Sequence, residues 1–549
     1  MNTDKHRYHK RIALKKRAPI FSSSVSICVY LWLILLSSCS STPTDMRTLV
    51  PVEALVYLES NDLAEALQPI IDNKAFEEAA KSKPDLAALK GVQLVVAVTG
   101  FESTEEKLND ELSVGSIKPR FVAVADTHAW NWQANSFAEQ HLGGFVSDIY
   151  DSDSTLEKID RAGGKYYTWT AADGRKAYAL VIGSVIYFGN DESAIEKCLA
   201  VKRGQAESII ASGKVKPADP ATLAVGYVSP DGVAQIASIV GLKAGKEVDD
   251  EPEVQSVTAG ILPQLLRAMV NEISWTSRKG ELGFEDTYDV AFKPEVAAVF
   301  AETITVGTNS QESEFEEFVP ASAASVTHYQ LKDPQIAWRS VLLTAISQTD
   351  AVTGKFVEAL SAGLFEPYGI ADPEVFLSAV TGNRLLTANL DASGEKVVVI
   401  TRTRSTELLK RSVRSELDLA RAPEKVEGAD MWKSSDGSVG AAIISDIVLM
   451  GDAEGILECL RARAAGNSFK DVQRPKRFTR NTAPIFTVAN DTDERAWLVD
   501  VLSERKDEST PLTQRTISST NFDRAGMHKI TVSDFGLIGS IIAQLASDQ

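Results

Sequence analysis

WTAADGRKAYALVIGSVIYFGNDESAIEKCL, Trp169 to Leu199, returns near the other end of the chain as WKSSDGSVGAAIISDIVLMGDAEGILECL, Trp432 to Leu460. Each copy reads as a tryptophan, three residues, Asp-Gly, an apolar strand, a glycine-containing turn, and a helix carrying Cys-Leu. Working outward, other landmarks recur in the same order. Val50-Pro51 and Val319-Pro320 each precede an apolar strand, and AVTG occurs at 97–100 and at 379–382. A strand followed by a helix closes each half, at 287–303 and at 527–545. A period of about 265 residues is a domain duplication, since solenoid repeats run about 20–50. The 549 residues leave room for two such units. Hairpins are frequent between the helices. The expected fold is therefore α+β: a tandem duplication of a mixed or mostly antiparallel sheet domain with helices packed on one face. The expected boundaries are a first repeat at 50–305, an acidic linker at 306–318 and a second repeat at 319–549.

Local patterning supplies the elements. An Asp stands between a strand and a following helical stretch at Asp62, Asp126, Asp191, Asp231, Asp333, Asp452 and Asp491. Such side chains accept hydrogen bonds from the free N–H groups of a first turn. Apolar spacing predicts helices over 63–71 and 76–89. A further helix, capped at Asp126-Thr127, is expected to carry Trp130, Trp132 and Phe137. Residues 102–117 and 247–253 read as acidic loops, Gly143-Gly144 as a turn, the region of Leu156 as a short helix, and 376–380 as a strand. Ser405 reads as the cap of a basic helix.

The N-terminus carries an address. Seven Lys/Arg and one acid fall within residues 1–39, followed by the apolar run Val25 to Leu36 and by Ser37-Ser38-Cys39-Ser40. The run is short of the roughly 20 residues that span a bilayer and fits the apolar region of an export signal. Leu36-Ser37-Ser38-Cys39 resembles the lipobox of bacterial lipoproteins. That resemblance implies a signal peptide at 1–38, lipidation of Cys39 and a tether over 39–49. With Ser40 rather than Asp after the cysteine, it implies the outer membrane over the inner. The other reading is an uncleaved signal anchor. The body, opening with Val-Pro and an apolar strand, is similar to uncharacterised bacterial exported proteins of a domain-of-unknown-function family.

Charge and chemistry narrow the function. Without residues 1–39 the chain holds 50 basic and 74 acidic residues, a balance of −24. Nucleic acid and anionic surfaces would repel it, so no nucleic-acid partner is expected. A basic patch, Arg461 to Arg480, reads as a solvated connection or as a contact for an anionic partner. Cys198 and Cys459 occupy matching helix positions and read as buried thiols, with a disulfide as the alternative. The strand-end carboxylates read as caps before they read as catalytic or metal groups. Four histidines lie beyond the signal, and no pair has metal-ligand spacing. GLKAGK at 241–246 lacks the hydroxyl that a phosphate loop needs. The Asp148, Asp151, Asp153, Glu157 group lacks the glycine of a calcium loop. No metal, cofactor or catalytic residue is assigned. His128, Trp130 and Trp132 are the candidate ligand contacts. The resulting expectation is a lipid-anchored cell-envelope protein, with its body in the periplasm or at the cell surface. It would bind a small ligand or an envelope protein without catalysis. The alternative is an envelope hydrolase with a site assembled between the two repeats.

Overall fold

A computed structural model of the chain describes residues 44–72, 86–107, 113–150, 152–217, 219, 221–248, 252–280, 283–307, 314–391, 394–471, 483–489, 515–534 and 536–539, and the structural statements below concern these. The first half contributes β1 (Val56–Ser60), β2 (Gln93–Lys107), β3 (Ser113–Asp126), β4 (Ser154–Arg161), β5 (Gly164–Ala171), β6 (Lys176–Ile182), β7 (Val185–Gly189), β8 (Thr222–Val228), β9 (Val270–Lys279) and β10 (Phe284–Phe292). The second contributes β11 (Ser325–Gln330), β12 (Val380–Asn389), β13 (Val397–Thr403), β14 (Glu424–Val426), β15 (Ala429–Lys433), β16 (Val439–Ile444), β17 (Ile447–Asp452), β18 (Ile485–Ala489), β19 (Thr516–Phe522) and β20 (Gly526–Ser533). Every pairing is antiparallel. Together they form one 20-stranded sheet, in the order β4, β5, β6, β7, β3, β2, β1, β8, β9, β10, β20, β19, β18, β11, β12, β13, β17, β16, β15, β14. Exchanging each strand for its counterpart in the other half leaves that order unchanged when it is read from the opposite end. The duplication is thus real, and the two copies share a single sheet.

The helices are α1 (Leu63–Ile71), α2 (Asn131–Phe137), α3 (Gly143–Ile149), α4 (Glu192–Lys202), α5 (Pro230–Val248), α6 (Pro252–Met269), α7 (Pro294–Thr303), α8 (Pro334–Ser347), α9 (Ala351–Gly363), α10 (Pro373–Ala379), α11 (Thr406–Ser412) and α12 (Ala453–Ala465). Four of the expected aspartate caps do cap: the side chains of Asp62, Asp191, Asp333 and Asp452 accept from first-turn amides. Ser405 accepts from the Leu408 amide in the same way. Asp231 instead lies inside the first turn of α5, and Asp491 lies outside the described residues. Helices α4 and α12 pack on one face of the sheet and bury matching positions, Ala194, Ile195, Cys198 and Leu199 against Gly455, Ile456, Cys459 and Leu460. Both cysteines are free and fully buried, each in the core of its own half. Burial pushes the Cys198 thiol up to about 12. Successive strand residues point to opposite faces, so Tyr166 meets α4 while Tyr167 and Trp169 meet α2 and α3 on the other side. The outer strands of both halves carry this additional helical cover.

Glycine marks one equivalence that registers independently. A Cβ at Gly189 would stand 2.3 Å from the Phe121 carbonyl oxygen, and one at Gly451 2.1 Å from that of Val397. Both sit at the end of the strand that crosses β3 or β13. The Val-Pro landmark is equivalent too, since Pro51 bridges to Ser208 and Pro320 to Ser468. AVTG is not. Ala97 pairs with Tyr57, whereas the residue opposite the corresponding Val326 is Ala388.

Several local expectations are corrected. Within the expected 39–49 tether, a 3-10 turn at Met46–Leu49 sinks Met46 and Leu49 into the first core. Within the expected 306–318 linker, Phe315 and Phe318 plug the second core. Residues 102–107 and 113–117 are strand, because the β2–β3 ladder runs on past the core whatever the side-chain polarity. Leu156 lies in β4, opposite Trp169. Gly143 and Gly144 open α3; a Cβ at Gly143 would stand 2.9 Å from the Trp169 indole nitrogen, so glycine lets that helix close over the ring. The 247–253 loop contracts to a break between α5, which runs to Val248, and α6, which starts at Pro252. Residues 376–379 are helical, because Asp372 caps α10 and Pro373 stands at its first position. The expected helix at 76–89 shows only a 3-10 turn at Ala87–Leu89, its remainder lying outside the described residues.

The halves meet where β10 pairs with β20, from Phe284 opposite Ser533 to Ala291 opposite Gly526. His528 on β20 lies between two carboxylates, with Nδ1 2.6 Å from Asp289 Oδ1 and Nε2 3.0 Å from Asp523 Oδ2. Burial alone would lower the imidazole pKa, but the two carboxylates outweigh it and hold it above the ordinary value. A raised histidine contributes stability that is complete below the unfolded pKa of about 6.5 and is lost as pH rises through the folded value. His528→Gln should therefore lower the melting temperature most in mildly acidic buffer, and the difference from wild type should shrink by pH 8.5. A deficit that stays constant across that range would contradict the ion-pair account.

Candidate functional site

Each half holds an apolar cavity, and the two share only the counterpart strand pairs β2/β12 and β3/β13. The first, about 450 Å³, lies between β2, β3, β6 and β7 and the α2–α3 cover. Leu94, Ala123 and Ile186 form its floor, and Phe137, Phe145 and Val146 form its roof. The second, about 430 Å³, lies between β11, β12, β13 and β18 and the helices α8 and α10, with Leu385 and Val399 in its floor and Trp338, Phe365 and Phe376 above them. Leu94 and Leu385 are on counterpart strands, as are Ala123 and Val399. Such sizes are in the range of small-molecule sites. The volume exists because strand residues as small as Ala123, Ala125 and Ala177 face the helices where larger ones would fill the gap.

The few polar groups in the first cavity are engaged. Asn190 donates to the Pro119 carbonyl at 2.8 Å and accepts from the Phe121 amide at 3.0 Å. The Tyr150 hydroxyl donates to the Lys176 carbonyl at 3.0 Å. In the second cavity burial pushes the Tyr368 hydroxyl up to about 12. Neither cavity presents a charged side chain, so what this lining can do is exclude water and hold hydrocarbon. The second cavity reaches the surface at Leu364, which is exposed and continues a row of exposed apolar residues, Val352, Phe356 and Leu360, along α9.

None of the residues singled out from the sequence lines either cavity; His128, Trp130 and Trp132 fall in the segment between Ala125 of β3 and Phe137 of α2, both of which do line the first. The Asp126 carboxylate is buried and accepts from Thr44 Oγ1 at 2.7 Å, Ser184 Oγ at 2.8 Å and the His128 amide at 3.1 Å. Burial would raise its pKa, but those three donors and the nearby imidazole hold it below the ordinary value. His128 turns the chain through a left-handed conformation, φ 51°. Its Nδ1 stands 3.5 Å from Asp126. Helix α2 starts only at Asn131, so Trp130 is its cap residue rather than part of a longer helix. Neither tryptophan is core: Trp130 is 64 % exposed and Trp132 66 %. His128 is thus brought to Asp126, whereas the two indoles point away to the surface. No sequence signal marked the cavity residues, since each reads as an ordinary apolar strand or helix position.

Comparison with known proteins adds little. No protein-family model matches the chain, and no curated protein does. The chain is similar to a solved structure titled "Structure of crystal form I of TP0453", at 9 % identity and a TM-score of 0.22, covering 46 % of this chain and 80 % of that one. At that score the likeness carries no functional implication.

Among the described residues no group of three or more His, Cys, Asp and Glu side chains could hold a metal ion. Between the repeats, where a shared hydrolase site would fall, both His528 nitrogens face carboxylates. Of the expected basic patch, Arg461, Arg463 and Lys470 are described; Lys470 pairs with Glu317 at 2.8 Å and Arg463 stacks over Phe318.

Proposed function

We propose that this is a lipid-anchored protein of the bacterial cell envelope that binds an apolar, chain-like ligand in the apolar cavity of each half. The observation that carries the reading is the pair of cavities of about 450 and 430 Å³, one in each half, walled by hydrocarbon and overlapping at the counterpart positions Leu94/Leu385 and Ala123/Val399. The lipobox-like segment ending at Cys39 supports the address, and the acidic balance of the body excludes attraction to anionic surfaces as a means of attachment.

A dansyl-labelled fatty acid tests the reading. Its fluorescence should rise saturably on binding to the purified protein. Ala123→Phe fills the first cavity and Val399→Trp the second, and the double variant should weaken binding by at least about tenfold, or ~1.4 kcal/mol. Because these changes fill space rather than open it, the melting temperature should hold or rise. Undiminished binding in the folded double variant would remove the cavities from the function.

A further inference from the structure

We infer that Trp130 and Trp132 seat the body on the bilayer, lying at the boundary of headgroups and acyl chains in the leaflet that holds the lipid on Cys39; this rests on the anchoring reading above. The described chain begins at Thr44, and its position is fixed. The Thr44 amide donates to Gln93 Oε1 at 2.8 Å, the Gln93 amide nitrogen donates back to the Thr44 carbonyl at 2.8 Å, and the Thr44 hydroxyl donates to Asp126. Four residues lie between Cys39 and Thr44, so five Cα-to-Cα steps join them. However they run, they span at most about 18 Å. A lipid on Cys39 therefore holds this corner of the protein close to the membrane plane.

The same corner carries both exposed indoles. Asp126, which accepts from Thr44, is four residues before Trp130 and six before Trp132. The left-handed turn at His128 and the cap at Trp130 carry the chain out of the sheet between them. Trp130 and Trp132 are the two exposed tryptophans among the described residues; Trp169 and Trp275 are buried. Tryptophan favours the membrane interface because its ring is apolar and its N–H remains wet. With a body balance of −24, the contact would be apolar and so insensitive to salt.

The test uses the full lipidated chain in phosphatidylcholine vesicles, with and without brominated acyl chains that quench indole fluorescence on contact. Wild type should float with the vesicles and be quenched equally in low and high salt. Trp130→Phe/Trp132→Phe should float as well and lose most of the quenching. Flotation of wild type without quenching, or equal quenching in the double variant, overturns the inference and leaves the anchor standing. Failure to float overturns the anchor and the inference with it.

Discussion

Gly451→Val should cost about 3–5 kcal/mol of folding stability, and Gly189→Val a similar amount, measured by chemical denaturation. At both positions the added carbon would fall within 2.3 Å of a carbonyl oxygen of the neighbouring strand, so backbone rather than a side chain must move. The strands concerned, β17 and β7, lie against β13 and β3 in the interior of the sheet, where displacement breaks a ladder on both sides. Gly451 also holds φ 145°, a conformation unfavourable to valine. Gly144 supplies the control. It lies in α3 with nothing within 4 Å of an added carbon, so Gly144→Ala should be neutral or stabilise by about 0.4–1 kcal/mol. A loss below about 1 kcal/mol at both Gly451 and Gly189 would show that the two strand crossings are looser than described.

Cys39→Ala should abolish membrane attachment of the mature protein. In the proposed form the acyl chains supply most of the affinity, since two chains already anchor stably, the acidic body adds no electrostatic attraction, and the two indoles orient the body on the bilayer. Metabolic labelling with a radioactive fatty acid should mark wild type and leave the variant unlabelled, and the size shift of lipoprotein processing should disappear. Equal labelling and identical mobility would sink the lipoprotein reading. They would return the uncleaved signal anchor as the explanation of the apolar run Val25 to Leu36.

The duplication was legible because its markers answer to local physics. Asp191 and Asp452 must cap, and the residues behind them must bury the same helical face, so both copies keep the pattern. AVTG misled because four residues of apolar strand and turn recur without any shared place in the sheet. The pairing of β10 with β20 was not legible. A strand's alternation is the same whichever neighbour it takes, and the partners here are some 240 residues apart, as with Asp289 and His528. The cavities were hidden for a related reason. Ala123 or Ala177 in a strand reveals a small side chain, whereas the gap depends on how far α2 and α3 stand off. Trp130 and Trp132 stood out as unusual, but a helix over both would have turned one inward. The late helix start, set by Gln133 accepting from the Trp130 amide, leaves both outside.

The symmetric strand order has a consequence for origin. A chain carrying only the first copy would end its sheet at β10 with an open, unprotected edge. A second copy of that chain presents the same edge in a complementary sense, so the two would close as an isologous homodimer. Gene fusion would then have turned an association governed by protein concentration into one governed by chain connectivity. Freed from having to match itself, each half could diverge. The buried Glu59 of β1 and its counterpart on β11, His328, which pairs with Glu316 at 2.9 Å, record that freedom: the same interior place now carries opposite chemistry.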